Sequence, residues 1–307
     1  MIRVLVTGGA GFIGSNIVDA LIEDGNSVVV VDNLSTGKKE NLNPKAKFYQ
    51  VDIRDKGIED IFKKEKPDYV CHQAAHLDVR ESVRKPIWDA ENNIIGSLNI
   101  LENCVKYKVK KIVVASTGGA IYGDAKIIPT PENYLAAPIS PYGVSKLSIE
   151  HYLHYYSKVF NLPYVALRYA NVYGPRQDSK GEAGVIAIFT GKLLKGEEPL
   201  IFGKGRQTRD YVFVGDVARA NVLALKNKKV GSYNVGTGVE TSVNQIFRNL
   251  VKLTGASVKE KHIDAVLGEQ KRSCLDASKI KKDFGWKVGV NFSEGLKKTV
   301  EWFKNNK

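Results

Sequence analysis

The sequence predicts a doubly wound parallel α/β sheet over residues 1–174 and a smaller α+β C-terminal lobe over 175–307. Three observations carry that prediction. Short β-branched apolar runs alternate with helical patterns to about residue 170, as a parallel sheet with helical crossovers requires. The first of these runs ends in a cluster of glycines, and the second ends in an acid. After Gly174-Pro175 the alternation gives way to shorter, less regular segments.

Ile2 to Val6 has the length and branching of a buried strand. Thr7 leads into glycines at 8, 9, 11 and 14, and Ile13, Ile17, Val18, Leu21 and Ile22 follow at helical spacing. Strand, glycine turn and helix in that order point to dinucleotide binding. One glycine lets the turn reverse, a second lets a diphosphate approach the backbone, and a third lets helix pack on strand. The diphosphate then faces free N–H groups at the positive end of the helix. A purely structural βα turn would also use glycines. Ser27 to Asp32 decides between the two: it is a second buried strand, and its acid lies about 20 residues past the glycines. That carboxylate is placed to accept from a ribose 2′-hydroxyl and to repel a 2′-phosphate. Lys38 and Lys39 keep NADP open, but Asp32 makes NAD the expected cofactor.

Further strands are read at 48–51, 69–71, 111–115 and 164–168, with helices around 58–62, 87–101 and 142–160. Right-handed crossovers put the ligand beyond the carboxyl ends of these strands. The C-terminal lobe should hold helices near 185–194, 217–225, 243–253 and 296–303, and short strands near 200–202 and 232–235. The chain is expected to cross between the lobes more than once.

Composition narrows the function classes. A hydrophobic share of 43% supports a substantial core, and no apolar run reaches the ~18 residues of a membrane span. A soluble, cytoplasmic protein is expected. The net charge of +13 raises nucleic acid as a partner, but the lysines are scattered along helix faces and the C-terminal tail. A solvated surface with a pocket for a polyanionic small molecule fits better. Cys71, Cys104 and Cys274 lie far apart, the histidines form no HxxxH or HExxH pair, and no metal is expected.

Tyr142 and Lys146 are the main catalytic candidates. Four apart on one helix, they project to the same face. A lysine ammonium beside a phenol stabilises the phenolate, drawing its pKa from about 10 toward neutral. Such a base can take a proton from a sugar hydroxyl while the carbon gives hydride to nicotinamide. The alternative is a surface pair of the kind any helix carries. Thr117, in the run from Ala115 to Gly123 at the end of the fifth strand, offers a hydroxyl to the same cleft, or merely a polar strand cap. Asn92 and Asn93 suit either the cofactor or a buried backbone.

In order along the chain stand the glycine turn, Asp32, Asp52-Ile53, His72-Gln-Ala-Ala75, Asn93-Ile-Ile-Gly96 and Tyr142 with Lys146. Arg168-Tyr-Ala-Asn-Val-Tyr-Gly-Pro175, Arg209-Asp-Tyr-Val-Phe-Val-Gly-Asp216 and Asp276-Ala-Ser-Lys279 with Phe284-Gly-Trp286 follow. This ordered set resembles the extended short-chain dehydrogenase/reductases, Rossmann enzymes of nucleotide sugars, and among them the UDP-glucose (galactose) 4-epimerase family. The resemblance covers nearly the whole chain. It implies NAD held by Gly8, Gly11 and Gly14, with Phe12 and Ile13 giving backbone N–H groups to the diphosphate. Asp32 and Asn33 would meet the ribose, Asp52 and Ile53 the adenine, Ala74, Ala75 and Asn92 the cofactor, and Lys146 the nicotinamide ribose. On the substrate side it implies Thr117 and Tyr142 at the sugar, Asn171 on the sugar nucleotide, and Arg209 on its diphosphate with Arg272 as a second candidate.

The chain departs from the family pattern twice. The family's Ser or Thr before Tyr-Gly falls on Thr117 counted forward from the strand, but on Gly118 counted back from Tyr122; Thr117 is favoured because the strand end fixes where a side chain reaches. Val266-Leu-Gly-Glu269 replaces the family's arginine and Gly-Asp, so the nucleotide ribose contact would pass to Glu269 and the diphosphate contact to Arg272. Ser273 stands where the family bounds the sugar C2 substituent, and its small side chain leaves room for an N-acetyl group.

The expected activity is C4 inversion of UDP-glucose and UDP-galactose through a 4-keto sugar, with NAD retained and some tolerance of N-acetylated UDP-sugars. A uronate epimerase, a decarboxylase and a 4,6-dehydratase share the scaffold. The last two follow the Thr with an acid, where this chain has Gly118-Gly119. A non-catalytic NAD- or sugar-binding protein is the alternative outside enzymes. The family also implies a homodimer through the helices at 87–107 and 142–160.

Overall fold

The computed structural model describes residues 1–180, 184–265 and 270–306. In chain order the first half forms β1 (Arg3–Thr7), α1 (Phe12–Glu23), β2 (Ser27–Asp32), β3 (Lys47–Gln50), α2 (Gly57–Glu65) and β4 (Tyr69–His72). Next come α3 (Val79–Arg84), α4 (Pro86–Ala90), a π-helical turn over Glu91–Ile95, α5 (Gly96–Lys106), β5 (Lys111–Thr117), α6 (Pro141–Val159) and β6 (Tyr164–Tyr169). The rest comprises β7 (Asn171–Tyr173), α7 (Val185–Leu193), β8 (Leu200–Phe202), β9 (Thr208–Phe213), α8 (Val214–Lys226) and β10 (Gly231–Val235). It ends with β11 (Glu240–Ser242), α9 (Val243–Thr254), β12 (Lys261–Ile263), β13 (Arg272–Ser273), α10 (Ser278–Phe284) and α11 (Phe292–Asn305).

Seven parallel strands form the central sheet in the order β10-β6-β5-β4-β1-β2-β3. Its strands read as continuous apolar runs because both faces are covered. Alternation along each strand divides the core. Val4, Val6, Val28, Val30 and Val113 face α1, α8 and α10, whereas Leu5, Val29, Val31, Ile112 and Val114 face α2, α5 and α6. Cys71 packs in the first layer and Cys104 in the second, the core roles their patterns suggested. A third cluster joins Tyr173, Tyr211 and Phe213 to α7, α9 and α11 beside the small sheet centred on β9. Helix α9 starts at a capping box, Ser242 with Gln245, and ends at Gly255 in the left-handed region. Among the described residues no helix is long and apolar enough to cross a membrane.

One expectation needs correction. The strand expected near 232–235 forms, but not in the C-terminal lobe: β10 runs parallel to β6 as the seventh strand of the central sheet. Ser232 and Asn234 break its apolar pattern because both join a buried polar network, Ser232 bonding Glu150 and Asn234 bonding Tyr122. Helix α8 returns with it, packing Val217, Ala218 and Ala220 into the same layer as α1.

Glu150 is the hub of that network. Its carboxylate accepts from Ser116 Oγ at 2.5 Å, Arg168 Nε at 2.9 Å, Arg168 Nη2 at 2.7 Å and Ser232 Oγ at 2.7 Å. One side chain of α6 thus ties β5, β6 and β10 together. Replacing Arg168 by Met leaves a buried carboxylate without its counter-charge, and a loss of about 3–5 kcal/mol is expected in urea unfolding. A change below ~1 kcal/mol would mean that the ion pair is not the fastening it looks to be.

Candidate active site

The glycine turn packs backbone against backbone. Gly8 has φ +69°, and a Cβ there would lie 2.7 Å from the Ala74 amide nitrogen. A Cβ on Gly14 would lie 2.0 Å from the Gly8 carbonyl oxygen. Helix α1 starts at an N-cap glycine, Gly11, with no side-chain cap and no acid in its first turn. Its first intrahelical bond runs from Ser15 N–H to Gly11 O (3.0 Å), so the N–H groups of Phe12 and Ile13 precede the ladder. An uncapped helix start beside a turn with no space for side chains suits a diphosphate.

The other cofactor-side residues gather at the same carboxyl edge. Asp32 ends β2 with its carboxylate set by two backbone donors, Ala10 N–H (3.0 Å) and Leu34 N–H (2.8 Å). Asn33 Nδ2 donates to Asp52 (2.8 Å), and Arg54 makes a two-pronged contact with the same carboxylate (2.9 and 2.8 Å). Arg54 holds the Asp52 carboxyl well below the usual carboxylate range. Ile53 is buried and meets Gly96, where a Cβ would lie 2.6 Å from Ile53 Cδ1. Ala74 and Ala75 follow β4, with Ala74 N–H donating to Thr7 Oγ1 (3.2 Å). These residues fit a dinucleotide. Asn92 donates to Trp88 O of its own helix (2.7 Å), while Asn93 takes the buried-backbone role, bonding both the N–H and the carbonyl of His76.

Helix α6 brings the catalytic candidates to this edge. Its N-cap Ser140 accepts from Gly143 N–H, and Pro141 opens the first turn, which carries Tyr142. Lys146 Nζ lies 5.8 Å from the centroid of the Tyr142 ring and donates to Ala115 O at 2.9 Å. Burial pushes the lysine down to about 8, against the pull of Asp89 and Glu150. The phenol departs from the sequence reading. Burial, and then the Asp89 carboxylate, raise the Tyr142 pKa above its ordinary value instead of Lys146 drawing it toward neutral. The main reason is burial, which disfavours the phenolate, and the charge of the buried Asp89, unforeseen from the sequence, adds to it.

The surroundings of Thr117 and Gly118 differ. A Cβ on Gly118 would lie 2.3 Å from Leu275 Cδ1, so that direction is filled. The Cβ position of Gly119, by contrast, lies 3.8 Å from Thr117 Oγ1 and 3.6 Å from Asn171 Oδ1. Thr117 and Asn171 therefore border one small space. Thr117 Oγ1 also accepts from Ala120 N–H (3.2 Å), which orients it.

The two arginines part company. Arg209 stands in register with Ser273 and Thr241, and Arg272 with Thr208, so their side chains leave the sheet on opposite faces. Arg272 Nε donates to Glu240 at 2.9 Å in a largely exposed ion pair, and Thr208 Oγ1 meets the same carboxylate. Arg209 shares its face with buried Ser273 and reaches Thr208 O at 2.9 Å. Glu269 lies outside the described residues.

Sequence reading missed Asp89, fully buried on α4 and facing both Tyr142 and Lys146. Its signal was its spacing, one helical step of four before Asn93.

Residues 4–236 match the model of the NAD dependent epimerase/dehydratase family. The chain belongs to that family. It is 52% identical to a UDP-glucose 4-epimerase of Thermotoga maritima, solved with UDP-glucose, over 99% of each chain at a TM-score of 0.98. Against the NAD complex of a Thermus thermophilus UDP-glucose 4-epimerase it is 44% identical, again over 99% of each, at 0.94. A UDP-N-acetylglucosamine 4-epimerase of Methanobrevibacter ruminantium, solved with UDP-N-acetylmuramic acid, is 39% identical over 100% of this chain and 99% of its own, at 0.95.

Replacing Thr117 by Val should lower kcat by about 10²-fold, with Ser at the same position retaining most of the rate. Adding Gly118→Ser to the Val variant should restore nothing, because Leu275 occupies that direction. Steady-state kinetics on all three variants checks this, and rescue by Ser at 118 would transfer the hydroxyl's role there.

Proposed function

We propose that the protein is a cytoplasmic UDP-glucose 4-epimerase with tightly bound NAD that also accepts N-acetylated UDP-sugars. The observation that carries this reading is Lys146 lying 5.8 Å from the Tyr142 ring centroid and bonding Ala115, two residues before Thr117 on β5, in a chain similar over its full length to solved 4-epimerases. The glycines after Thr117 support epimerisation without elimination. With Gly118 walled off by Leu275, neither 118 nor 119 offers the acid that a dehydratase needs for its second proton. Ser273 beside Arg209 supports the wider substrate range, since a small side chain leaves space at the sugar's C2.

In this reading the sheet lobe (1–174) grips the cofactor through Gly8, Gly11, Gly14, the N–H groups of Phe12 and Ile13, Asp32 and Asp52. The C-terminal lobe, drawn from 175–307 without α8 and β10, grips the nucleotide, with Arg209 on the diphosphate; a planar guanidinium matches phosphate oxygens. When bound, NAD supplies a reversible hydride acceptor and, in its oxidised form, a positive charge of the kind that lowers a neighbouring phenol's pKa. Tyr142, directly or through Thr117, takes the proton of the sugar 4-hydroxyl as C4 becomes a ketone, and returns it when the opposite face of that ketone is reduced. Lys146 keeps positive charge over the phenol ring. Arg209 anchors the diphosphate while the keto sugar turns over.

A homodimer through α4, α5 and α6 completes the proposal. Ile87, Val144, Tyr152, Tyr155 and Val159 leave an apolar surface on α4 and α6.

Purified protein, with no cofactor added, should interconvert UDP-glucose and UDP-galactose and their N-acetyl forms. Acid release should yield about one NAD per chain. Tyr142→Phe should lower kcat by about 10²–10⁴-fold with NAD retained; full activity in that variant would remove the proposed base. Light scattering should give twice the chain mass, and Ile87→Glu with Val144→Glu should halve it. A monomeric wild type would sink the dimer.

A further inference from the structure

A buried chain of hydrogen bonds runs from the glycine turn to the catalytic helix. Ala74 N–H donates to Thr7 Oγ1 (3.2 Å), Thr7 Oγ1 meets His72 Nδ1 (2.6 Å), and His72 Nε2 meets Ser97 Oγ (2.9 Å). Ser97 donates to Asn93 O (2.5 Å), Asn93 Nδ2 to Asp89 Oδ1 (2.9 Å), and Ser145 Oγ to Asp89 Oδ2 (2.6 Å). All six side chains, from Thr7 to Ser145, are buried. Burial pushes His72 down to about 3, so the ring is neutral at physiological pH. A neutral ring has one donor, and the bonds on either side assign it to Nε2. With that tautomer Thr7, His72 and Ser97 donate in turn as far as the Asn93 backbone carbonyl, and the Asn93 side chain and Ser145 donate to the Asp89 carboxylate.

We propose that Asp89 is a positioning residue of this site, a buried carboxylate that ties α6 to the π-helical turn and, through Asn93, Ser97 and His72, to Thr7 beside the glycine turn. The placement of its partners supports this. Ser145 precedes Lys146 on α6, and Asn93 holds both backbone groups of His76, so one carboxylate governs the helix that carries Tyr142 and the loop that carries Ala74 and Ala75. The π-helical turn, Glu91–Ile95, sits where this junction is made; such turns in a helix commonly accompany functional sites.

Asp89 also sets charge. The titratable groups facing the catalytic pair are Asp89 from α4, Glu150 from α6 and His72 from β4. Asp89 favours the ammonium of Lys146 and disfavours the phenolate of Tyr142, so both pKa values lie higher with it than without it. Removing the negative charge must lower both.

The test uses Asp89→Asn and Ser145→Ala in the purified enzyme, and its kinetic arm rests on the epimerase reading. Asn keeps a hydrogen-bonding group of the same shape, whereas Ser145→Ala breaks the tie to α6 and keeps the charge. In Asp89→Asn both limbs of the kcat/KM profile should move to lower pH by about one unit. Tyrosinate absorbance, with Tyr142→Phe as the blank, should show the Tyr142 transition moving the same way. Ser145→Ala should lose at least about tenfold in kcat with its limbs unmoved. Limbs that stay in place in Asp89→Asn, with only a uniform loss of rate, reduce Asp89 to a structural group. An unchanged kcat in Ser145→Ala overturns the positioning role even if Asp89→Asn fails to fold. The absorbance arm needs no substrate, so an enzyme inert on UDP-glucose whose Tyr142 transition still shifts would refute the proposed function and leave this inference standing.

Discussion

Helix α6 is held by two buried carboxylates, and the site depends on that fastening. Asp89 receives Ser145, on the first half of the helix, while Glu150, one turn further, receives Arg168, Ser116 and Ser232 from the sheet. Lys146 stands between these anchors, and Tyr142 lies one turn before Lys146. An apolar interface lets a helix slide or rotate by fractions of an ångström at little cost, since dispersion contacts are weak singly and undirected. A buried carboxylate with directed donors does not, because each lost bond leaves an unsatisfied charge in a low dielectric. The position of the phenol is therefore set by polar bonds inside an otherwise apolar layer.

The same burial governs the chemistry. Lys146 is pushed down, His72 is kept neutral, and the Tyr142 phenol is raised, so the polypeptide biases each group toward its uncharged form. Groups poised in this way respond strongly to any added charge, because a low dielectric magnifies it. A site built to bind a dinucleotide beside Tyr142 is one in which ligand charge helps set the protonation state.

Much of the fold was readable because the relevant physics is local. β-branched runs flanked by turns marked the first six strands of the central sheet, and the glycine turn with Asp32 marked the cofactor edge. Tyr142 and Lys146 stood out by helical spacing downstream of the dinucleotide turn and its strand–helix units. The seventh strand reads as part of the C-terminal lobe because it follows Gly174-Pro175 by more than fifty residues, and only pairing with β6 and the bonds of Ser232 and Asn234 to Glu150 and Tyr122 return it to the central sheet. The short strands β7, β11, β12 and β13 were invisible for a related reason: two or three residues carry no period of their own, and pairing makes them strands.

What the sequence by itself determined is the order of strands and helices as far as β6, the dinucleotide turn and the residue types of the catalytic pair, since these rest on periodicity, glycine geometry and short-range spacing. Only the tertiary structure decided that Leu275 fills the direction a side chain at 118 would take, that Arg209 and Arg272 point to opposite sides, and that a buried Asp89 joins Ser145 of α6 to Asn93. Each of these turns on a partner from elsewhere in the chain: Leu275 against Gly118, Glu240 against Arg272, Ser145 against Asp89. Distances between residues far apart in the chain are made by packing, and no local pattern records them.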